Sequence, residues 1–439
     1  MMDSSVQIEN TLLEQCDHTT LANEELFEYL NGLWKGKKPP YVNVKVLRNT
    51  NFNNDGTLSL EDVAELPVEE KQFRTRKLVA GDIILERSGG GPKQPVGRVV
   101  FFDLPQEDYS FSNFTTCIRV KDWEVLNPEF LLYYLLSFYN QGNTNELQQR
   151  TTGIRNLNFS DYKKIAIPLP MIKEQTSIIF VLRKLQQAIA QQEQIIAKTK
   201  ELKRSLMHRL FTYGLRGEEI KETEIGLMPK SWNVVSLRDY VELITKGSSP
   251  NWQGFEYCQE GITFIRSQNI GWGDLLLNEV QHLPEGFNKK EKKSIIKQND
   301  VLINLVGASI GRVTIATKVI EGGNLNQAVA IVRLRLNSFT PKFLVQYLLT
   351  QRGQKQIHLN KKEIARANIS LQDVNNFLVV RPEMEEQEEI TKILSNVDKR
   401  IQQSETRKQT LQALFKSMLQ LLMTGQVRVK DIDFGEINV

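Results

Sequence analysis

The feature that most constrains this fold is a long amphipathic pattern that occurs twice. The first copy starts after Pro170, continues through Gln175, and contains no Gly or Pro before Gly214. The same three landmarks recur about 212 residues later (382 − 170 = 212), at Pro382, Gln387 and Gly425. Uninterrupted polar–apolar runs of this length are typical of helices. The sequence therefore predicts one long helix that appears twice, each time behind a globular half.

Positions spaced alternately by three and four are mostly apolar in both copies, which is a heptad seam. In the first copy the apolar residues are Leu182, Leu185, Ile189, Ile196, Leu206 and Leu210, and in the second Leu394, Val397, Ile401, Leu411, Phe415, Met418 and Leu422. Polar residues interrupt the seam at Gln192, Thr199 and Lys203 in the first copy and at Ser404 and Lys408 in the second. Each seam runs for about 36 residues, roughly 54 Å at 1.5 Å per residue, which is longer than such a domain needs. We expect the two helices to pack on each other as a spacer. A helix lying on its own domain is the alternative.

Composition fits two globular units. The chain of 439 residues is too long for one ordinary domain, and it is 40% hydrophobic and 25% charged. No apolar run approaches the length of about 18 residues that would span a membrane, and the N-terminus does not resemble a secretory signal. Three widely spaced cysteines, Cys16, Cys117 and Cys258, favour a reducing cytoplasm. The net charge of +4 neither requires nor excludes a nucleic-acid partner.

The order of predicted elements gives the domain boundaries. We expect an N-terminal arm (1–20), a first domain (21–170), a central helix (171–213), a linker (214–228), a second domain (229–382), a C-terminal helix (383–425) and a tail (426–439). The spacing of apolar residues from Thr20 to Leu33 predicts a short helix. Strand-like segments such as Tyr41–Leu47 and Asp82–Glu86 follow, and a helix is predicted at Pro128–Tyr139. Each half is therefore expected to be a β-rich α+β domain.

Short blocks of the first half match blocks of the second half in the same order. Leu47–Asn51 matches Ile265–Asn269, and Gly97–Val99 matches Gly311–Val313. The loops between the matching blocks differ. Two copies of one scaffold with different loops can recognise two different things, because loops carry specificity while the scaffold holds them. A duplication that drifted without consequence is the alternative.

Motifs that would indicate catalysis are incomplete in this chain. Pro39-Pro40-Tyr41 resembles the end of a methyltransferase loop, but Lys38 stands where an acceptor is required. Asn51–Asp62 lacks the last ligand of a calcium loop, and the glycine-rich stretch Ser88–Lys93 is not a P-loop. The four histidines are isolated in sequence. We expect no catalytic residue, no metal site and no cofactor in this chain.

The arrangement resembles one known family, the specificity subunits of type I restriction-modification systems. The resemblance covers nearly the whole chain and rests on the openings Pro170–Gln175 and Pro382–Gln387 of the long helices and on the closing Leu422–Arg428. Gly226–Leu237 is similar to that family's usual start of a target-recognition domain. The first half departs from the pattern, because nothing like Pro229–Trp232 precedes it.

The resemblance implies both a fold and a function. The fold would be α+β, with two target-recognition domains, an internal pseudo-twofold repeat, and two long helices paired as an antiparallel coiled coil. The chain would be a non-catalytic subunit in which each domain reads one half of a bipartite, asymmetric DNA site and the helices set the gap. Two modification subunits would use S-adenosylmethionine to methylate adenine, and restriction subunits would cut with ATP and Mg²⁺. The expected docking positions are the seam residues above together with Glu174, Gln175, Glu386 and Gln387.

Candidate DNA contacts are loop residues that can bond base edges or phosphates. In the first domain they are Arg48, Asn49, Asn51, Arg74, Arg76, Arg87, Ser88, Lys93, Arg98, Thr151, Thr152, Arg155 and Asn156. In the second they are Lys246, Arg266, Gln268, Asn269, Trp272, Asn304, Ser309, Arg312, Asn326, Lys361, Lys362 and Arg366. Two other classes stay open at this point: a stand-alone coiled-coil scaffold or DNA-binding repressor, and a methyltransferase.

Overall fold

The computed structural model describes residues 16–429, except 35, 37, 92–93, 106–107, 152–153 and 360–367. Its contacts divide into two compact units. The first comprises the chain up to Gln192 and from Arg407 onward, and the second comprises Glu193–Thr406. Each unit therefore contains a globular part and segments of both long helices. We call residues 17–169 the first domain and residues 228–381 the second domain.

The first domain is rich in strands. In chain order they are β1 (Asp17–Thr20), β2 (Phe27–Asn31), β3 (Tyr41–Leu47), β4 (Ala64–Glu69), β5 (Asp82–Glu86), β6 (Ser88–Gly90), β7 (Val99–Phe102), β8 (Tyr109–Phe111), β9 (Thr115–Val120), β10 (Gln148–Thr151), β11 (Ile154–Leu157) and β12 (Ala166–Leu169). Its helices are α1 (Glu70–Arg76), α2 (Pro128–Asn140) and α3 (Phe159–Tyr162), and α4 (Ile172–Tyr213) follows.

The centre of the first domain is a four-stranded sheet in the order β2–β9–β5–β7. Every residue of β5 is buried, as expected for a central strand. Helix α2 packs on this core through residues such as Phe130 and Leu135. It begins at Asn127, whose side chain accepts a hydrogen bond from the Glu129 amide, and Pro128 occupies the first turn, where no amide hydrogen is needed.

The predicted helix from Thr20 to Leu33 is wrong. Strand β1 pairs antiparallel with β12, and β2 pairs antiparallel with β9, with Phe27 opposite Val120. The apolar spacing satisfies a helix locally, but pairing with strands about 90 to 150 residues away decides the conformation, since strand preference depends on context. The end of the predicted arm, residues 17–20, accordingly belongs to a sheet of the first domain.

The second domain repeats this order of elements. Strand β13 (Ile220–Lys221) lies in the linker before this domain. The strands of the domain itself are β14 (Met228–Pro229), β15 (Asn233–Ser236), β16 (Val241–Lys246), β17 (Ile262–Ile265), β18 (Gln281–Leu283), β19 (Val301–Asn304), β20 (Val313–Ile315), β21 (Asn324–Leu325), β22 (Val329–Leu334) and β23 (Leu378–Arg381). Its helices are α5 (Gly286–Lys290), α6 (Pro341–Leu348), α7 (Gln351–Leu359) and α8 (Leu371–Asn375), and α9 (Met384–Met423) follows.

The internal repeat is visible in the sheet topology. The four-stranded sheet of the second domain has the order β16–β22–β19–β20, which corresponds strand for strand to β2–β9–β5–β7. Each domain also has a three-stranded sheet with one antiparallel and one parallel pairing, β4–β3–β8 and β18–β17–β21. The repeat found in the sequence is therefore a repeat of architecture.

Matching ion pairs brace both sheets. In the first domain Arg119 donates to Asp82 at 2.7 and 2.8 Å, and in the second Arg333 donates to Asp300 at 2.8 and 2.7 Å. Each carboxylate also accepts a backbone amide in its own loop. The hydrogen bonds to Asp300 raise the pKa of Arg333 above its usual value. Each aspartate is buried and paired with its arginine, so removing the arginine would leave an uncompensated buried charge and destabilise the domain.

The two long helices are confirmed, with 42 residues in α4 and 40 residues in α9. Within the second unit, Lys200 pairs with Glu405 at 2.7 Å and Lys203 pairs with Asp398 at 2.5 Å. Rising numbers in α4 thus face falling numbers in α9, so the two segments run antiparallel there. Within the first unit, Glu174 near the start of α4 pairs with Arg428 beyond the end of α9 at 2.6 Å.

The residues expected to dock partner subunits instead hold the helices to their own units. Gln175 is fully buried, donates to the carbonyls of Val125 and Pro170 at 3.0 and 2.8 Å, and accepts the Asn127 amide at 2.8 Å. Gln387 makes the matching bonds to the Pro382 carbonyl and the Thr340 amide.

Other expected docking positions are also used inside their own unit. Glu386 accepts the Leu215 amide at 2.8 Å and the Trp232 indole at 3.0 Å. Many of the seam residues, including Leu182, Leu394 and Phe415, are buried in the cores. The buried side chains among them therefore pack or bond inside their own unit and are not docking contacts. The half-buried seam residues stay a prediction, and they are Leu185, Ile196, Leu206, Val397, Leu411 and Met418.

Candidate nucleic-acid interface

A tight turn after strand β3 presents Arg48 at the surface of the first domain. Asn51 closes this turn by accepting the Arg48 amide at 2.9 Å. Its side-chain amide donates to the carbonyls of Ser59 and Asp62 at 3.1 and 3.0 Å. Asn51 is buried, and its Oδ1 and both amide hydrogens are used in holding the loop. The turn is thereby fixed relative to the strand that precedes it.

The second domain contains the same turn after strand β17. Asn269 accepts the Arg266 amide at 3.0 Å and donates to the carbonyls of Leu276 and Glu279 at 2.8 and 3.2 Å. It is buried like Asn51. Both asparagines were candidate DNA contacts, and both are corrected to structural residues because their side chains are enclosed and already bonded.

The arginines at the head of these turns remain accessible. The Arg48 side chain is 42% exposed and lies 3.5 Å from Asp62, whose own side chain is 91% exposed. Such an exposed pair is weak and can be exchanged for another partner. The Arg266 guanidinium lies over the ring of Tyr257 at 6.0 Å. In both arginines the Nε atom is buried without a hydrogen-bond partner among the described residues.

A buried arginine supports the first turn from within. Arg98 donates to both oxygens of Glu86 at 2.8 and 2.9 Å and to the carbonyls of Phe52 and Asn49 at 3.1 Å each. Its side chain is only 9% exposed. Arg98 is therefore corrected from a DNA contact to a brace that ties strand β5 to the Arg48 turn.

The second domain supports its turn with a different residue. Asn304 occupies the position that corresponds to Glu86 and is fully buried. Its amide donates to the Ser267 carbonyl at 2.8 Å, inside the Arg266 turn. Asn304 is thus also corrected to a structural role. Arg312, at the position of Arg98, is half-buried just before β20.

Several other candidates of the first domain share one small sheet, β10–β11–β6. In it Asn156 pairs with Ser88, and Arg155 donates to Gln148 at 3.3 Å. The neighbouring Arg87 stacks over the ring of Phe159 at 4.5 Å, and burial lowers the pKa of Arg87 below its ordinary value. Asn49 joins this sheet to the Arg48 turn by donating to the Ser88 carbonyl at 2.6 Å.

Two candidate arginines lie on α1, away from this sheet. Arg74 pairs with Glu70 one turn earlier on the helix, and its side chain is largely exposed. Arg76 donates to the Asn31 carbonyl at 3.0 Å, so part of its guanidinium is occupied.

The second domain keeps several candidates at its surface. Lys246 ends β16, Gln268 lies in the Arg266 turn, and Trp272 follows that turn; all three are exposed. Ser309 and Asn326 are half-buried, and Asn326 accepts the Ala328 amide at 3.1 Å within its own loop.

The side chains of six candidate DNA contacts are not among those that the structure describes. Thr151 belongs to β10 but its side chain is not described. Lys93, Thr152, Lys361, Lys362 and Arg366 lie outside the described residues.

Exposed aromatic side chains are the group that sequence reasoning largely missed. Trp34 is 65% exposed and Phe114 is 48% exposed in the first domain, and Trp252 and Tyr257 are exposed in the second. Aromatic rings at a protein surface can stack on nucleobases. Their position in loops next to strand ends was the available signal, but burial cannot be seen in a single sequence.

The residues that the structure describes contain neither a metal-binding cluster nor a membrane-spanning helix. No group of three or more His, Cys, Asp or Glu side chains in them is arranged to hold a metal ion. Across the same part of the chain, no helix combines the length and the apolar character needed to cross a membrane.

Comparisons with known proteins give the same family for both halves of the chain. The profile of the family described as type I restriction modification DNA specificity domain matches residues 18–201 and 229–413, which together exceed half of the chain. The chain is 25% identical over 324 residues to the type I restriction enzyme MjaVIII specificity subunit of Methanocaldococcus jannaschii, covering 73% of this chain and 75% of that protein.

Two more distant matches are also described as specificity subunits of type I systems. The EcoKI specificity subunit of Escherichia coli is 21% identical over 389 residues, covering 85% of this chain and 77% of that protein. The crystal structure of a type I restriction-modification system S subunit from M. genitalium superposes with a TM-score of 0.55 at 15% identity, covering 96% of this chain and 98% of that one. The structural likeness shows a shared fold.

Proposed function

The chain belongs to the family of type I restriction-modification specificity subunits, and from that premise we propose that the Arg48 and Arg266 turns are its two reading elements. Each domain reads one half of a bipartite, asymmetric DNA site. The observation that carries this proposal is the pair of matched turns, closed by the same three asparagine bonds and surrounded by different loops.

The chemistry of the turns suits DNA. Arginine can donate two parallel hydrogen bonds to a guanine edge or to a phosphate. A turn that is rigidly attached to a sheet holds the guanidinium in place, so little freedom is lost on binding. Because the loops around the two turns differ, the same scaffold can contact different bases in the two halves.

The long helices are proposed to set the gap between the half-sites. A helix of 42 residues is about 63 Å long at 1.5 Å per residue. Helices packed antiparallel resist bending better than a single helix, because their seams are buried against each other. Their length then determines how many base pairs separate the two sequences that are read.

Partner subunits supply the chemistry in this proposal. Two modification subunits bind S-adenosylmethionine and methylate adenine, and restriction subunits use ATP and Mg²⁺ in a cytoplasmic complex. Because many of the seam residues are buried, the proposal places the docking surface on outward positions of the helices. In the second unit, the apolar side chains of Ile195 and Leu202 are exposed there.

Mapping of methylated adenines tests the proposal. Co-expression with modification subunits should give a stable complex that methylates one gapped, asymmetric motif. Failure to form a complex, or methylation of an ungapped motif, would contradict it. As a control, the isolated chain is titrated with S-adenosylmethionine, and saturable binding would support the methyltransferase alternative.

A further inference from the structure

A cleft of about 570 Å³ lies beside the Arg48 turn in the first domain. Leu33, Val46 and Val68 line it as buried apolar residues. Trp34 and Phe114 also line it, and both rings are exposed. The volume falls within the range of about 300–1,000 Å³ that is typical of small-ligand sites. The cleft thus combines an apolar lining with two accessible aromatic rings.

Three polar atoms on residues that line this cleft have no hydrogen-bond partner among the described residues. They are Nε of Arg48, Oδ1 of Asn49 and Oγ of Ser112, and all three are buried. Asn49 is oriented by its amide, which donates to the Ser88 carbonyl at 2.6 Å and leaves Oδ1 as a free acceptor. Unpaired buried polar atoms are costly, so a ligand that bonds to them would be favoured.

The hydrogen-bonding capacity of these three atoms distinguishes between possible occupants of the cleft. It offers a donor, an acceptor and a hydroxyl that can act as either. A phosphate would leave the Asn49 acceptor unpaired, and a purely apolar group would leave all three atoms unpaired. A nucleobase presents a flat face for aromatic stacking together with an edge that carries both donors and acceptors.

We propose that this cleft receives a nucleobase of the target DNA that has left the base stack. Its ring lies against the aromatic rim of Trp34 and Phe114. Its edge bonds to Arg48, Asn49 and Ser112, whose unpaired atoms are covered in the unbound protein and turn toward the cleft when the base enters. A base that stays paired in a duplex has both faces covered by its neighbours, so it could not use the rings. The inference rests on the proposed function, in which this domain binds DNA.

The test uses the assembled complex and its mapped target site. Each base in turn is replaced by a photoreactive halogenated analogue, and the cross-linked residue is identified by mass spectrometry. We expect one position, in one half-site, to cross-link to Trp34 or Phe114. A mismatch opposite that base should tighten binding several-fold, because a mismatched base is easier to unstack. A base read within an intact pair would instead bind less tightly when mismatched.

Variants separate recognition from folding. Trp34→Ala should abolish both the cross-link and the gain from the mismatch, whereas Trp34→Phe should retain them. Ser112→Ala should weaken binding several-fold without lowering Tm, since it removes an unpaired buried hydroxyl. Trp123→Ala is the matched control, because Trp123 is 53% exposed in the same domain and does not line the cleft.

The outcomes are distinct. If the complex binds its bipartite site but no base cross-links to Trp34 or Phe114, or a mismatch opposite the cross-linked base weakens binding, the inference is overturned and the proposed function stands. A Ser112→Ala variant with lower Tm and unchanged DNA affinity would also overturn the inference. A complex that recognises no bipartite site overturns both.

Discussion

At the scale of single residues, Arg48 and Arg98 are both arginines close to the same turn, but their surroundings differ. Arg98 is enclosed and paired with Glu86, while Arg48 is accessible. Arg98→Met should lower the free energy of unfolding of the first unit by about 3–5 kcal/mol, because Glu86 would be left buried and unpaired. Arg48→Met should leave unfolding nearly unchanged and weaken DNA binding by about 1–3 kcal/mol. Thermal unfolding and DNA titration measure the two effects.

The double variant Arg98→Met/Glu86→Leu is the control for this prediction. Replacing both partners of a buried pair by apolar groups removes the unpaired charge, so most of the lost stability should return. If Arg98→Met kept the wild-type Tm and lost DNA binding, the assignment of Arg98 as a brace would be wrong.

At the scale of elements, the sequence predicted correctly those elements that are set by a local pattern. It failed where the conformation depends on a strand that is distant in sequence. The long helices could be predicted because a heptad seam is a local pattern, and α4 ends at Tyr213, directly before the predicted stop at Gly214. The helix predicted from Thr20 failed because strand β2 is specified by a partner, β9, that is far away in sequence.

The candidate site shows the same limit. Matching the two halves located Arg48 and Arg266 correctly at equivalent turns. It could not separate these accessible arginines from Asn51, which is the same type of candidate in sequence but is buried. Trp34 was missed for the opposite reason: its position in a loop beside a strand end was a signal, but a single sequence does not show that the ring is exposed.

Shortening both helices tests their role as a spacer. Residues 193–199 and 400–406 lie in the antiparallel segments of the second unit and can be deleted together, which removes one heptad from each helix. Seven residues correspond to about 10 Å of helix, or about three base pairs at 3.4 Å each. The methylated motif should therefore keep both ends and lose about three base pairs from its gap.

Substitution without deletion is the matched control for the spacer. Changing the exposed residues Glu193, Gln194, Ala197 and Lys198 to other good helix formers should leave the gap unchanged. An unchanged gap after the double deletion, with altered ends of the motif, would show that the helices do not set the spacing.

At the scale of the whole molecule, one architecture is used twice with different internal bracing. Both sheets are held by the same arginine–aspartate pair, but the turn is supported by Glu86 and Arg98 in one domain and by Asn304 in the other. Conserving the frame while changing the residues behind and around the turn lets each domain present its arginine in a different setting. Under the proposed function, this difference would let one fold read two different half-sites.

Independence of the two domains is the last prediction. Arg48→Met should relax recognition of one half of the motif and Arg266→Met the other half, because each turn is closed by bonds within its own domain. The free-energy losses of the two variants should add to within about 0.5 kcal/mol in the double variant, as is usual for sites without shared partners. Lys164→Met and Lys230→Met remove exposed charges from the two units and should change neither half. Binding affinity measured on DNA altered in one half at a time tests this independence. A single variant that relaxes recognition of both halves would show that the domains read the site jointly.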